Sequence, residues 1–373
     1  MSSSYDYQAL YIHVPFCAQR CNYCDFVTEA VTPDDPRLDD YVYNLSLDIA
    51  SAANMGLLQS IRTVYIGGGT PSYLGNRRLF DLISTISEQM SLSRDTEFTV
   101  EANPESLTAL PARELSSLGV NRLSLGVQSF VDSELKVLGR IHNANTALEA
   151  LELVCEFISN VSIDLICGIP GQSISSWRYT LEKALAHGVQ HVSVYPLTVE
   201  EKTPLAQLMH SGLLDNPDED LQASLMEIAA DVLANAGYER YEVASYALKD
   251  NECRHNISYW TGMSYLGLGR GAAGMRQTES FRERLLNNVV VERLTLEEAQ
   301  LEDIMLSMRM SAGVALSEVR KASECFPGLT NTFDKLVEFG LVALKHDRYQ
   351  PTSKGWLCGN EIFGRIWENA GHH

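Results

Sequence analysis

Short apolar segments alternate with amphipathic helical segments over most of the chain. Six of the apolar segments are rich in β-branched and aromatic residues and end at a turn: "ALYIHV", "TVYIG", "EFTVEA", "RLSLGV", "VSIDLI" and "HVSVYPL". Between them lie helical patterns such as "NRRLFDLISTISEQM" and "SWRYTLEKALAHG". Six βα units in series predict an α/β fold whose parallel sheet is buried on both faces. Curled into a partial (β/α)6 barrel of the TIM type, such a sheet carries its active site at the carboxyl ends of the strands.

The pattern changes near Thr295. The segment "TLEEAQLEDIMLSMRM" predicts an amphipathic helix, and "FDKLVEFGLVAL", "DRYQPTSKGW" and "GNEIFGRIWENA" predict a helix, a short hairpin and a helix. This order resembles a small winged-helix module, so we expect two domains, residues 1–290 and 291–373. From Thr295 to the end there are 8 Lys and Arg against 11 Asp and Glu residues, a net charge of −3. That balance favours a structural or docking role over DNA reading.

The charge of the whole chain narrows the choice of partners. The 373 residues carry a formal net charge of −19, which disfavours nonspecific contact with nucleic acid and loose adsorption to anionic membranes. A docked peripheral contact with a membrane stays open. The start "MSSSYDYQAL" has neither a basic region nor an apolar core, so we expect a cytoplasmic protein. The 8 cysteines are then expected to be thiols or metal ligands rather than disulfides.

The segment "HVPFCAQRCNYCDF" holds three of these cysteines, Cys17, Cys21 and Cys24, in the spacing C-x3-C-x2-C. Cysteine thiolates are the usual ligands of iron–sulfur clusters. A four-iron cluster needs four ligands, so three local cysteines leave one iron open to another ligand. A structural zinc site completed by a distant cysteine or histidine is the alternative on spacing alone.

The cysteine spacing resembles the CxxxCxxC motif of the radical SAM superfamily. That resemblance implies a [4Fe–4S] cluster whose open iron binds S-adenosylmethionine. Tyr23 matches the aromatic residue that is common in the motif. The segment "YIGGGTPS" resembles the family's glycine loop, in which glycine allows close approach to the methionine end of the ligand. The resemblance therefore assigns cofactor contacts to a further set of residues, namely Tyr11, Phe26, Gly68, Gly69 and Thr70.

Four later landmarks resemble the oxygen-independent coproporphyrinogen III oxidase (HemN) family. Glu101 and Gln128 end the third and fourth predicted strands, Arg140 lies in "LGRIH", and Asp164 lies on the fifth strand in "SIDLICGIPGQ". The resemblance implies that these side chains line the site for the nucleotide or for a second ligand. Carboxylates accept ribose hydroxyls, whereas an amide and a guanidinium orient polar edges. Taken singly, each residue could equally be a strand-end cap or a surface ion pair.

Three details resemble the haem chaperone (HemW-type) branch of that family. Phe26 stands where the oxidases have a fourth nearby cysteine. Only sixteen residues precede Cys17, so we expect the oxidases' N-terminal arm to be missing. The segment "CRHNISYW" resembles the chaperones' HNxxYW signature, in which the histidine, here His255, is implicated in haem binding. The alternative is that His255 supports a loop through hydrogen bonds. Cys253 is a second candidate for contact with haem iron.

The resemblance implies a haem chaperone that binds a [4Fe–4S] cluster, S-adenosylmethionine and haem, and passes haem to a respiratory haem protein. It leaves homodimer formation and radical cleavage of S-adenosylmethionine open. The alternative function is oxidative decarboxylation of coproporphyrinogen III, and a radical methylase or haem-degrading enzyme on the same fold is a third. Whether the chain is an enzyme is therefore undecided from sequence, although the chaperone is favoured.

Overall fold

The protein was examined as a computed structural model that describes residues 6–90, 92–107 and 112–371. The strands are β1 (Ala9–Val14), β2 (Phe16–Cys17), β3 (Glu29–Ala30), β4 (Thr63–Gly68), β5 (Glu97–Ala102), β6 (Arg122–Gln128), β7 (Asn160–Cys167), β8 (His191–Pro196), β9 (Glu239–Arg240), β10 (Ser245–Ala247), β11 (Tyr265–Leu268), β12 (Ala273–Gln277), β13 (Arg282–Leu286), β14 (Val289–Leu294), β15 (Val314–Ala315), β16 (Val342–Lys345) and β17 (Arg348–Pro351).

The helices are α1 (Arg37–Asn54), α2 (Asn76–Gln89), α3 (Pro104–Leu107), α4 (Ala112–Ser117), α5 (Asp132–Val137), α6 (Ala144–Phe157), α7 (Ile174–Ala186), α8 (Pro204–His210), α9 (Glu219–Asn235), α10 (Arg254–Trp260), α11 (Leu296–Ser307), α12 (Leu316–Ala322), α13 (Leu329–Glu338), α14 (Ser353–Leu357) and α15 (Gly359–Trp367). Two short 3₁₀ helices cover Pro71–Leu74 and Glu368–Ala370. No helix in the described ranges is long and apolar enough to cross a membrane. The first five residues, on which the expectation of a cytoplasmic start partly rests, lie outside those ranges.

One large mixed sheet forms the centre of the molecule. Its strand order is β14-β13-β12-β11-β1-β4-β5-β6-β7-β8-β10-β9. The six predicted strands are all present as β1, β4, β5, β6, β7 and β8, and each pairs in parallel with its neighbour. Helices lie between successive strands, as the βα pattern predicts. The predicted α/β architecture is confirmed, and the carboxyl ends of the six strands come together on one side of the molecule.

Each barrel strand has an apolar outer face and a polar inner face. On β4, Val64 and Ile66 are fully buried in the main hydrophobic core beside the helices. The alternate positions of the strands carry a second set of buried side chains, which are polar: Thr63, Glu97, Thr99, Arg122, Ser124, Ser162, His191 and Ser193. Because side chains alternate along a strand, these polar groups share the inside of the barrel. The sheet is buried on both faces, as predicted, but only its outer face is apolar.

Several helices begin at residues whose side chains cap them. The side chain of Ser173 accepts a hydrogen bond from the backbone N–H of Ser176 at the start of α7. Thr295 and Glu298 form the same reciprocal arrangement at the start of α11. Such caps pair backbone donors that the first turn of a helix leaves free. Helix α7 begins two residues before the segment predicted for it, because Ser173 provides the cap.

The C-terminal residues form a second, smaller hydrophobic core that runs from Leu301 to Ile366. The predicted order of helix, hairpin and helix needs two corrections. The end of the first predicted helix lies in the first strand of the hairpin, Val342–Lys345, because α13 ends before Gly340, which has a φ of 70°. The end of the predicted hairpin lies in helix α14, which begins at Ser353 after the cap that Thr352 provides. The hairpin turns at His346 and Asp347, both with positive φ. Strand β14 spans the predicted domain boundary at residue 290, and the division into two domains stays a prediction.

Candidate cofactor site

A cavity of about 520 Å³ opens at the carboxyl ends of the barrel strands. Twelve of the fourteen predicted site residues line it: Cys17, Cys21, Tyr23, Cys24, Phe26, Gly68, Gly69, Thr70, Glu101, Gln128, Arg140 and Asp164. They come from positions as far apart as 17 and 164. Tyr11 and His255 lie elsewhere in the barrel. The structure therefore brings most of the predicted residues together, although their roles as ligands stay predictions.

The three cysteines occupy a loop that the strand β2 and a neighbouring helix hold in place. Cys17 ends β2, and the backbone N–H of Cys24 donates to the carbonyl of Cys21 at 3.3 Å. Between them, Asn22 donates from its backbone to Leu138 and from its side chain to Val137. These bonds fix the loop to the end of α5.

Two of the three sulfur atoms accept hydrogen bonds from the protein. Thr70 Oγ1 donates to Cys17 Sγ at 3.5 Å, and Arg140 Nη1 donates to Cys21 Sγ at 3.4 Å. Burial raises the pKa of the Cys17 thiol to about 11 and also raises that of Cys21. Metal binding must therefore displace protons from these thiols. Donors to sulfur are one of the features that tune iron–sulfur clusters, so this donor set fits such a group.

Asn103 connects the partners of the two sulfurs. Its Nδ2 donates to Thr70 Oγ1 at 2.9 Å, and its Oδ1 accepts from Arg140 Nη2 at 2.8 Å. Arg140 Nη2 also donates to the carbonyl of Gly126, whereas Nε of this buried arginine has no hydrogen-bond partner among the described residues. Sequence reasoning missed Asn103. Its signal was its position in "EANPES", two residues after Glu101 at the end of a predicted strand.

The arrangement of the thiols also bears on the zinc alternative. Within the described ranges, no group of three or more His, Cys, Asp or Glu side chains is arranged to hold a single metal ion. A four-iron cluster does not need three sulfurs that converge on one point, because each thiolate binds a different iron.

The glycine loop owes its glycines to contacts within the protein. Gly68 has a φ of 115°, and a Cβ there would lie 2.6 Å from the ring of His13. A Cβ at Gly69 would lie 2.7 Å from the carbonyl oxygen of Phe16. Sequence reasoning attributed these glycines to close approach of a ligand. The described contacts give another reason, which is that the loop packs directly on β1 and β2.

Two partly buried carboxyl groups form part of the polar wall of the cavity. Glu101 accepts hydrogen bonds from the phenol of Tyr65 at 2.7 Å and from the backbone N–H of Gly68 at 3.0 Å. Asp164 accepts from Ser124 at 3.1 Å. Burial raises the pKa of both carboxyl groups, and the hydrogen bonds oppose that rise. Oxygen atoms held in this way can accept hydrogen bonds from the hydroxyl groups of a ligand.

Gln128 ends β6 in an unusual backbone conformation. Its φ is 68°, and the pairing of β6 with β7 shifts register between Leu125 and Gln128. A residue other than glycine in this region is uncommon, and such residues concentrate at functional sites. The irregular strand end lies on the wall of the cavity, where the predicted amide contact requires it.

His255 lies at the opposite end of the barrel from the cysteines. It is 1% exposed, and its ring nitrogens pair with the hydroxyls of Thr63 and Tyr259 at 2.9 and 2.8 Å. Its backbone N–H donates to Glu97. Desolvation by burial lowers the pKa of His255 to about 3. The geometry matches the structural alternative, because both nitrogens already have partners in the protein. Haem ligation by His255 stays a prediction.

The remaining candidates are also placed. Tyr11 pairs with Nδ1 of His13 at 2.9 Å inside the barrel, away from the cavity wall. Phe26 lies at the cavity mouth with 67% of its surface exposed. Cys253 is fully buried next to Glu97. Cys325, which lies outside the cysteine motif, is exposed.

Comparisons of this sequence and fold with known proteins identify the class of protein. The sequence profile of the radical SAM superfamily matches residues 11–184. The solved structure of coproporphyrinogen III oxidase (HemN) from Escherichia coli superimposes with a TM-score of 0.81 at 20% identity, and covers 98% of this chain and 91% of that one. At this identity the likeness shows the fold.

The curated relatives identify the branch. The haem chaperone HemW of Bacillus subtilis (strain 168) is 33% identical over 96% of this chain and 98% of its own length. The haem chaperone HemW of Escherichia coli (strain K12) is 37% identical over 71% of this chain and 69% of its own. The chain therefore belongs to the HemN/HemW family of radical SAM proteins, and its similarity to the Bacillus subtilis haem chaperone extends over 96% of its length.

Proposed function

We propose that this protein is a cytoplasmic haem chaperone. It binds a [4Fe–4S] cluster and S-adenosylmethionine, and it transfers haem to a haem-accepting respiratory protein. The observation that supports it most is the 33% identity to a haem chaperone over 96% of the chain. Phe26, where the oxidases carry another cysteine, supports the same branch. An oxidative decarboxylase of coproporphyrinogen III is the competing function.

The residues at the cavity fit the two cofactors. Cys17, Cys21 and Cys24 would hold the cluster, which when bound offers one open iron to the amino and carboxylate groups of S-adenosylmethionine. The protein's own contribution is to orient the cofactors and to exclude water from them. Arg140 and Thr70 donate to the cysteine sulfurs. Further along the cavity wall lie three side chains that would contact the nucleoside, namely those of Glu101, Gln128 and Asp164.

A pair of assays on one anaerobic preparation tests this function. The cluster is reconstituted, and haem is titrated while its Soret absorbance is followed. In parallel, the reduced protein is incubated with S-adenosylmethionine and coproporphyrinogen III. We expect saturable haem binding, and transfer of that haem to an apo-haem protein, without formation of protoporphyrinogen IX. Catalytic formation of protoporphyrinogen IX would establish the decarboxylase instead, and a preparation that binds no haem would exclude the chaperone.

A further inference from the structure

A column of aromatic side chains runs through the barrel from the cavity to its opposite end. The phenol of Tyr65 donates to Glu101 Oε1 at the cavity wall. The ring of Tyr65 stacks on that of His255, with 5.0 Å between centroids and 28° between planes. His255 in turn meets Tyr259 edge to face, also at 5.0 Å. The buried histidine is therefore one ring away from a carboxylate that lines the cavity.

His255 is held more firmly than its partners in this column. Its ring is bonded at both nitrogens, to Thr63 and Tyr259. Its backbone is fixed as well, because Glu97 accepts from the N–H groups of Arg254 and His255 at the start of α10. A buried ring with all its polar atoms paired has few other orientations available. It therefore offers Tyr65 a rigid surface to stack against.

Tyr65 has little freedom on its other side. A Cβ at Gly67 would lie 2.8 Å from the ring of Tyr65, so this ring packs closely against the backbone of the glycine loop. Between the loop and His255, the phenol points toward Glu101. Among the described residues, Glu101 has one other hydrogen-bond donor, the N–H of Gly68. The two donors bond different oxygens of the carboxylate, and Tyr65 provides the side-chain one.

We propose that Tyr65 is a positioning residue for Glu101, and that His255 acts through Tyr65 to hold this carboxylate in the orientation that binds S-adenosylmethionine. The histidine of the "HNISYW" segment then supports the cofactor site through the aromatic column. This inference rests on the proposed binding of S-adenosylmethionine at the cavity.

The test compares Tyr65→Phe and His255→Gln with the parent as full-length proteins that carry the reconstituted, oxidised cluster. Affinity for S-adenosylmethionine is measured by equilibrium dialysis without reductant, so that the ligand is not consumed. We expect Tyr65→Phe to bind about tenfold more weakly, because a hydrogen bond to a charged group is lost. We expect a smaller loss in His255→Gln, because the phenol remains but its support is altered.

A matched control exists in the same barrel. His191 is fully buried, and its ring nitrogens pair with the hydroxyls of Ser162 and Tyr241 at 2.7 and 2.8 Å. In the described part of the chain, its ring contact is with Tyr241, which does not bond Glu101. His191→Gln should therefore cost stability in the way that His255→Gln does and leave the affinity for S-adenosylmethionine at the parent value.

The pH profile of binding supplies a readout that general destabilisation would not move. The tyrosine phenol lowers the pKa of Glu101, which burial raises. Without that donor the pKa rises further, so in Tyr65→Phe the affinity should begin to fall at a higher pH than in the parent. The other ionisable groups that act on or with Glu101 are unchanged in this variant, namely Asp164, Arg122, Tyr11, Tyr195 and Tyr259.

Haem spectra separate this inference from the ligand role of His255. We expect the Soret band of bound haem to be the same in the parent and in both variants. A Soret change in His255→Gln together with unchanged S-adenosylmethionine binding would overturn the inference and make His255 a haem ligand. Equal affinity and equal pH profile in the parent and Tyr65→Phe would overturn it as well. A parent that binds no S-adenosylmethionine would overturn the proposed cofactor site and this inference with it.

Discussion

The guanidinium of Arg140 lies 3.4 Å from the sulfur of Cys21, although 119 residues separate the two in sequence. This arginine is partly buried in the wall of the cavity. A cation that donates a hydrogen bond to a cluster ligand stabilises the more negative, reduced form of the cluster. The contact therefore links one side chain to the redox behaviour of the proposed cofactor.

Replacing Arg140 by methionine should lower the reduction potential of the cluster. The substitution keeps much of the side-chain volume and removes the charge and the donor to Cys21. We expect a decrease of roughly 60 mV, which is a tenfold change in the equilibrium for one electron. The potential is measured by redox titration followed by electron paramagnetic resonance.

Arg20 provides the control for that experiment. It also lies on the cavity wall, but it is exposed and donates to the backbone carbonyl of Cys24 rather than to a sulfur. Arg20→Met should shift the potential much less than Arg140→Met. Equal shifts in the two variants would mean that general charge at the cavity, and not the bond to Cys21, sets the potential.

Cys21→Ala should remove most of the bound iron and the absorbance of the four-iron cluster. The thiol lies in a loop held by Asn22 and makes no contribution to the main hydrophobic core, so the far-ultraviolet circular dichroism should stay that of the parent. Iron and sulfide analysis after anaerobic reconstitution provides the measurement.

Cys325→Ala is the control for Cys21→Ala, since the Cys325 thiol is exposed and lies outside the cysteine motif. It should retain four irons per chain. Full reconstitution of Cys21→Ala would show that the ligand assignment is wrong, and one zinc per chain in the parent would support the zinc alternative.

Much of the architecture follows from local patterns in the sequence. The strands β1, β4, β5, β6, β7 and β8 were all predicted, because each is a short apolar run bounded by turn residues. The family resemblance assigned Glu101 and Asp164 to one site, and both line the cavity because the carboxyl ends of parallel strands lie on one side of the sheet. The family motifs then supplied the chemistry.

The contacts that arrange the site were not predictable in the same way. Tyr65 forms a hydrogen bond with Glu101, which lies 36 residues away in sequence. His255 forms one with Thr63, which lies 192 residues away. Such pairings depend on how the strands are ordered around the barrel, which no local pattern specifies. The environment of His255 is the main example. Helix α10 lies at the amino ends of the strands, and only this placement shows that both ring nitrogens of His255 are paired. The reason for Gly68 is another, since its neighbour is His13 on β1.

Gly68→Ala should lower stability more than its backbone conformation alone explains. A side chain at a positive φ costs about 1–2 kcal/mol, and a Cβ at Gly68 would also displace the ring of His13. Gly171→Ala is the matched control, because Gly171 has a φ of 82° and open space around the added Cβ. Thermal unfolding of the apoproteins measures both, and equal losses would mean that the His13 contact adds nothing.

The pH dependence of stability provides the last prediction. Burial lowers the pKa of His255 to about 3, whereas the ordinary pKa of histidine, which the unfolded chain retains, is about 6.5. Between these values the unfolded state binds a proton that the folded state does not. The folded state is therefore unaffected by this group above pH 6.5 and is progressively destabilised as the pH falls toward 3, by about 2–3 kcal/mol at pH 4.5.

His255→Gln should be less stable than the parent at pH 7, because its amide cannot reproduce both hydrogen bonds of the imidazole. It has no proton to gain in acid, so the gap in free energy of unfolding between parent and variant should narrow by about 2–3 kcal/mol from pH 7 to pH 4.5. Chemical unfolding of the apoproteins at both pH values gives the two gaps. The gap in free energy of unfolding between the parent and His191→Gln should also narrow toward pH 4.5, since burial holds the pKa of His191 well below its ordinary value. A gap that is the same at both pH values would show that His255 gains its proton while still folded, and so that its site opens to water more readily than its buried contacts with Thr63 and Tyr259 indicate.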